Sequence, residues 1–456
     1  MDAAPYLRRI AFTGPGSRPG HEVEFPRPVP ETSDPAPSFV ADRTDAYFAK
    51  TAEIVAAHGD ARVTYALFLR SDAVVAIDRA IETLEALYPK DAAIPLEVTR
   101  VAPEGTLLAS GKPMAYVAGS LAALSPLETL LLQRVGFPCV SAYNAFSMCR
   151  ALPEAEFLAM EARHTSGDDM HLACSYGAAV GSRTARLMGA KGFVGTSTNI
   201  AAPLYGGTHG LGTMPHSLIG YAKARMLAEG RDPATESATL EAAKLYVAQF
   251  PDEQRYTVLN DYDGREVSDA LAVCRWFYGA GGPAEQGKTL AFRLDTHGGR
   301  HLEGLDWDES VRTLLKWTHR HTPGEVAKLA LAGFELDELD GMSSDEVRDK
   351  FLFGTGVTAA AVIFFRKALD DSGFKEPRIV VSSGFDTLKC RVFGNLSAPV
   401  DVVGTGSFIP ARLSRSYASA DIVRYELPDG EGGWRAFDLV KVGREFLKLS
   451  AKERPA

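Results

Sequence analysis

The alternation of apolar and polar positions divides the chain into two regimes. Over 62–70 (RVTYALFLR) it has the short period and β-rich composition of a strand. Helical periodicity flanks that strand, over 45–58 and over 72–87, where apolar positions share one face. Two short strands follow, at 106–110 and 114–118, with Gly111-Lys112-Pro113 as the turn, and then helices at 124–136 and 141–151. Residues 42–150 therefore read as a small α+β unit followed by helices. From about Gly192 strands and helices alternate. Apolar strands at 192–195, 256–260, 289–295, 378–382 and 400–403 interleave with helical patterns at 217–228, 233–249, 266–277, 309–316 and 344–371. The strands run into polar or Gly-rich turns: GTSTN, NDYDG, RLDTHGG, SSGFD and VGTGS. Parallel strands of α/β folds present ligand sites at their carboxyl ends in this way. A count of five or six strands falls short of the eight of a closed barrel. The tail returns to short strands at 421–425 and 434–442, and is expected to join the N-terminal unit.

One stretch fits neither regime. Residues 192–221 (GFVGTSTNIAAPLYGGTHGLGTMPHSLIGY) are poor in bulky core residues and rich in Gly, Thr and Ser. Glycines at this density let a backbone approach a ligand and leave N–H groups free for anions. Pro215 suits the first turn of a helix, which would place His216 and Ser217 at a positive helix end. A lone histidine is more often structural than catalytic. Here the Gly-Thr-rich approach and flanking hydroxyls favour a phosphoryl acceptor or an acid–base group.

Composition narrows the choice. The 456 residues suffice for two or three domains, and the net charge of −9 argues against broad nucleic-acid or anionic-membrane binding. A local basic pocket for a phosphorylated substrate remains compatible with it. The five cysteines form no CxxC and no zinc spacing, which fits a reduced compartment. The first residues lack a charged-then-apolar signal pattern, and the longest apolar run, around 357–365, is too short for a bilayer, so a cytoplasmic protein is expected. Residues 1–40 hold eight of the 26 prolines and read as an irregular arm anchored by Tyr6, Leu7, Ile10 and Phe12. There is no GxxxxGK[ST], no strand-GxGxxG-helix, no GxSxG and no HExxH.

The strand ends carry the remaining chemistry. Asp261, Asp263 and Asp295 follow strands; singly each reads best as a helix cap, together they suggest a Mg²⁺ or ribose-hydroxyl site. Arg293 ends an apolar strand and needs an anion, either Asp295 or a ligand carboxylate. The turns at Ser382-Ser383-Gly384 and Gly404-Thr405-Gly406 each resemble a phosphate cradle of backbone amides. The charged EARHTSGDD knot around Arg163 is either an exposed loop or a ligand contact.

TDAY (44–47), LSPLETLLL (124–132), GFVGTSTNIAA (192–202), GTMPHSLIGYA (212–222), RLDT (293–296), SSGFD (382–386) and VVGTGSF (402–408), in this order, resemble the nicotinate phosphoribosyltransferase family over about residues 42 to 445. The likeness is to the bacterial branch that carries the proline before the histidine. It implies an incomplete α/β barrel of parallel strands, over 151–409. It also implies an α+β domain from both chain ends, 42–150 completed by about 410–456, behind the proline-rich arm at 1–41. It implies an enzyme that joins nicotinate to phosphoribosyl pyrophosphate, with Mg²⁺ and with ATP hydrolysed through a phosphohistidine at His216. By the same likeness Asp295 lies on the ribose side and Arg293 by the ring carboxylate. Arg163 lies by ring and phosphate, and Ser383, Gly384, Gly404, Thr405 and Gly406 hold the 5′-phosphate. Tyr47 would stack on the ring of a neighbouring subunit's site in a dimer or larger assembly. Thr196 and Ser197 line the substrate site, and Ser197 replaces the aspartate of nicotinamide-using relatives, which favours the acid. Two segments differ from the family: Phe-Gly-x-Arg reads Met160-Glu161-Ala162-Arg163, and RxDSG reads Arg293-Leu294-Asp295-Thr296-His297-Gly298. A nicotinamide- or quinolinate-using transferase, or a non-catalytic ligand-binding homologue, are the alternatives.

Overall fold

The computed structural model describes residues 7–11, 22–26, 38–334 and 341–447. It contains two main sheets. The first is antiparallel, in the order Trp434–Phe437, Ala418–Pro428, Arg62–Leu69, Pro113–Ser120, Glu97–Arg100. Strands from the chain's tail thus complete the N-terminal unit, as expected. The sheet buries Val63, Leu67 and Val117 against Ile81 and Leu84 of the helix Asp78–Leu87 and against α1 (Glu128–Ala151).

The second sheet is parallel and six-stranded. In chain order its strands are β1 (Glu156–Ala159), β2 (Gly192–Thr196), β3 (Arg255–Leu259), β4 (Thr289–Leu294), β5 (Arg378–Val381) and β6 (Val402–Thr405). They pair as β3-β4-β5-β6-β1-β2, a cyclic permutation of their order in the chain. That is the winding of an α/β barrel opened between β2 and β3. The core strands read as continuous apolar runs, such as Ile379, Val380 and Val381, because helices cover the sheet. After β1 comes α2 (Asp168–Leu187), and after β2 comes α3 (His216–Ala228), packed on Ala238–Gln249. The SSGFD turn after β5 leads into α4 (Thr387–Asn395).

Several elements differ from expectation. The βα alternation begins at β1, not at Gly192; four residues (EFLA) are too few to show a period. The 106–110 and 114–118 strands do not pair with each other. Leu107–Leu108 pairs with Ala73–Val74, while Pro113–Ser120 lies between Arg62–Leu69 and Glu97–Arg100. Ala73–Val74 also displaces the start of the expected 72–87 helix to Asp78. The helices read at 124–136 and 141–151 are one helix, α1, running through Pro138. The facing helix α2 explains the close fit: a Cβ at Gly177 would lie 2.2 Å from the Pro138 carbonyl oxygen, and one at Gly181 would lie 2.0 Å from that of Ala142. The expected 344–371 helix is interrupted at a π-turn, Arg348–Phe353, and resumes at Ala359–Asp371, where the Thr358 side chain caps Ala361 N–H. Pro323–Ala330, α4 and the 20-residue α2 are helices that periodicity did not show.

Within the arm read as irregular, Leu7–Ala11 pairs antiparallel with Glu22–Pro26. The rest of 1–37, including Tyr6 and Phe12, lies outside the described residues. All five cysteines are buried free thiols. Among the described residues no helix is long and apolar enough to cross a membrane.

Candidate active site

Pro215, in extended conformation, is the N-cap of α3, and His216 is its first residue. With about 3.6 residues per turn, His216, Gly220 and Lys223 share one face. That face meets the turn after β3 residue by residue. His216 Nε2 lies 3.1 Å from Asp261 Oδ1 and 3.3 Å from Oδ2. Gly220 makes room for Tyr262, whose hydroxyl would lie 2.8 Å from a Cβ there, and Lys223 Nζ forms an ion pair with Asp263. Asp261 is buried, which raises its carboxyl pKa; His216 opposes that shift and the Asp295 charge adds to it.

The partner of Arg293 is Asp295. Arg293 Nη2 donates to Asp295 Oδ2 at 2.6 Å, Nη1 to Thr213 Oγ1 at 3.0 Å, and Nε to Ser382 Oγ at 2.9 Å. The Ser382 hydroxyl in turn donates to Asp295 Oδ1 at 2.8 Å. Three of the five guanidinium N–H groups are thus engaged, leaving two for a ligand. This network joins the ends of β4 and β5 to the loop that delivers His216. Glu266, fully buried at the start of its helix, stitches the next layer. It accepts from Thr296 Oγ1 at 2.9 Å and from Arg300 Nη2 at 2.5 Å, and Arg300 also donates to the Asp261 carbonyl at 2.9 Å. Sequence reading missed Thr213, Glu266 and Arg300. The extra histidine, His297, accepts from Gly299 N–H at 3.0 Å and so caps its own turn.

The two glycine turns are not equivalent. Ser383 and Gly384 both have positive φ, 76° and 70°, and nothing lies within 4 Å of a Cβ placed on Gly384. Gly404 and Gly406 face protein instead: a Cβ would lie 3.0 Å from Met160 Sδ at Gly404, and 2.6 Å from Met160 O at Gly406, with the His164 ring as close as 2.7 Å. The Thr405 hydroxyl donates to the Phe385 carbonyl at 3.1 Å and so braces the first turn.

β1 and β2 end beside these groups. Ser197 is exposed, with its N–H donating to Ala159 O at 2.9 Å, and the buried Thr196 hydroxyl has no partner among the described residues. Arg163 is exposed on the Ala162–His164 turn next to Gly406. Beneath it Glu161 is fully buried; it accepts from Ser175 Oγ and lies 3.5 Å from His171 Nδ1, while His171 Nε2 lies 2.8 Å from Thr198 Oγ1. Burial raises the Glu161 pKa. Nothing in the local sequence marked this buried pair. Tyr47 stands apart, 62% exposed on the helix Ala46–His58, its hydroxyl 3.3 Å from Asp45.

No protein-family model matches the chain, and no match is found among curated proteins. Among solved structures the likeness is to pyridine-nucleotide enzymes, and it is one of fold. A nicotinate-nucleotide pyrophosphorylase from Pyrococcus furiosus aligns with a TM-score of 0.57 at 18% identity, over 89% of this chain and 86% of that one. Human nicotinic acid phosphoribosyltransferase aligns with a TM-score of 0.51 at 18% identity, over 86% of this chain and 80% of that one.

Proposed function

We propose that the protein is a nicotinate phosphoribosyltransferase that uses phosphoribosyl pyrophosphate and couples the transfer to ATP hydrolysis through His216. One observation carries the reading. A helix-opening histidine held by a buried carboxylate, an arginine with free donors and an open left-handed turn converge at the carboxyl ends of one open barrel. In the transfer, the pyridine nitrogen bonds to the ribose anomeric carbon as the bond to pyrophosphate breaks. Positive charge develops on the sugar, and the fixed Asp295 carboxylate is placed to stabilise it. The two unused donors of Arg293 suit the ring carboxylate, and the exposed Ser197 hydroxyl can donate to it where an aspartate would repel it. Ser383-Gly384 suits the 5′-phosphate.

With Nε2 facing Asp261, the imidazole presents its other nitrogen, Nδ1, as the nucleophile. Nδ1 bonds to the terminal phosphorus of ATP, the bond to ADP breaks, and Asp261 stabilises the ring as its charge grows. Water later takes the phosphoryl group. Mg²⁺ enters this reading as the counter-ion of substrate phosphates. Asp261, Asp263 and Asp295 are each bound to a histidine, lysine or arginine, and among the described residues no three potential ligands gather into a cage for it. The exposure of Tyr47 supports a site shared between subunits. The test is intact-protein mass after incubation with Mg-ATP at neutral or alkaline pH. Wild type is expected to gain one phosphoryl group and His216→Ala none. A gain on the variant would refute the assignment of His216.

A further inference from the structure

Lys389, on α4, is 5% exposed, which is unusual for a lysine. Its Nζ donates to the Ser383 carbonyl at 2.9 Å and sits 4.3 Å from the centre of the Phe385 ring, with Phe351 and Phe393 at 5.8 and 5.9 Å. The ammonium therefore lies under the open turn, walled by aromatic faces that favour a cation. Above it, Ser383 holds a left-handed φ of 76°, a conformation a serine keeps only when its surroundings enforce it. Two contacts do so: Lys389 on the Ser383 carbonyl, and the Thr405 hydroxyl on the Phe385 carbonyl. A trans peptide is planar, so drawing the Ser383 carbonyl inward aims the Gly384 N–H the opposite way, and Gly384 itself is exposed.

We infer that Lys389 is a positioning residue for phosphate binding, its buried ammonium fixing the Ser383-Gly384 turn with an N–H directed at the ligand. The inference rests on reading that turn as the phosphate site. The charge of Lys389 also attracts the anion through the turn. Around it stand Asp386 and Cys390 on its own helix, Asp295 at the end of β4, and Lys350 on the π-turn. Burial lowers its pKa to about 8, with Asp386 opposing the shift, so the charge is lost within an accessible pH range.

The experiment is calorimetric titration of the full-length protein with ribose 5-phosphate, which carries the 5′-phosphate alone, for wild type and Lys389→Met, beside initial-rate kinetics and thermal melts. The variant is expected to bind ribose 5-phosphate at least tenfold more weakly and to raise KM for phosphoribosyl pyrophosphate, with KM for nicotinate changed less than twofold. A second measurement needs no variant. Sulfate, whose own charge is constant over pH 7–9.5, should bind wild type more weakly as the pH rises through about 8. Equal ribose 5-phosphate affinity in a folded Lys389→Met, or a flat sulfate profile, overturns the inference alone. If wild type binds neither anion, the phosphoribosyltransferase reading falls as well.

Discussion

In the proposed reading, the histidine chemistry depends on Asp261. It must be ionised to hold the Nε2 proton of His216, and burial makes it protonate at a higher pH than an ordinary aspartate. Phosphorylation of His216 should therefore fail on acidification sooner than a solvated carboxylate would allow, as a pH series of intact-protein mass would show. Asp261→Asn keeps the shape but not the charge, and is expected to slow phosphohistidine formation roughly a hundredfold or more. A variant as fast as wild type would remove Asp261 from the mechanism. In the proposed reading, Ser197 sets the substrate choice. Ser197→Asp should shift the ratio of kcat/KM values from nicotinate toward nicotinamide by at least tenfold, because a carboxylate repels the acid and accepts from the amide. These candidates stood out in the sequence because each sits in a turn whose composition is odd for a core. Glu161, His171, Glu266 and Lys389 did not, because each has polar or charged residues close by in the sequence, where a charge reads as facing water until the fold shows it buried.

At the scale of elements, the close crossing of α1 and α2 is a steric fact that a single methyl group can test. Gly181→Ala places a Cβ 2.0 Å from Ala142 O, so the helices must separate. A loss of about 1–3 kcal/mol is expected, read as a lower melting temperature. An unchanged melt would show that the crossing is looser than described. The start of α1 holds a titrating group. Burial pushes the Glu128 carboxyl up to about 7; Tyr65 opposes this, and Asp421 and Asp45 add to it. Its folded pKa exceeds the unfolded value, so the stability it contributes is complete below about 4.5 and is lost as pH rises through about 7. Glu128→Gln should therefore gain about 1–2 kcal/mol relative to wild type between pH 5 and pH 8, discounted for partial exposure. A melting difference that stays constant with pH would contradict this. Elements with several periods were readable: Arg62–Leu69, α3 and Glu266–Phe277 lie where periodicity put them. Short or locally atypical ones were not. β1 has four residues, and Pro138 reads as a break although α1 continues through it.

At the scale of the molecule, strand pairing decides what the site contains. The β6–β1 pairing brings Thr405 beside Ala159 and so sets the Gly406 turn against Met160 and the His164 ring. Periodicity places strands in the chain but says nothing of which edges stay open, so the gap between β2 and β3 emerged only from the topology. α3 belongs to the connection across that gap, which is why His216 reaches Asp261 at the end of β3. The central claim is that this open barrel transfers a phosphoribosyl group to nicotinate. The most direct measurement is pyrophosphate release from phosphoribosyl pyrophosphate with nicotinate, nicotinamide or quinolinate, each with and without ATP. The account predicts release with nicotinate above the other two, accelerated by ATP and accompanied by nicotinate mononucleotide. Release with none of the three, or fastest with quinolinate and indifferent to ATP, would contradict it.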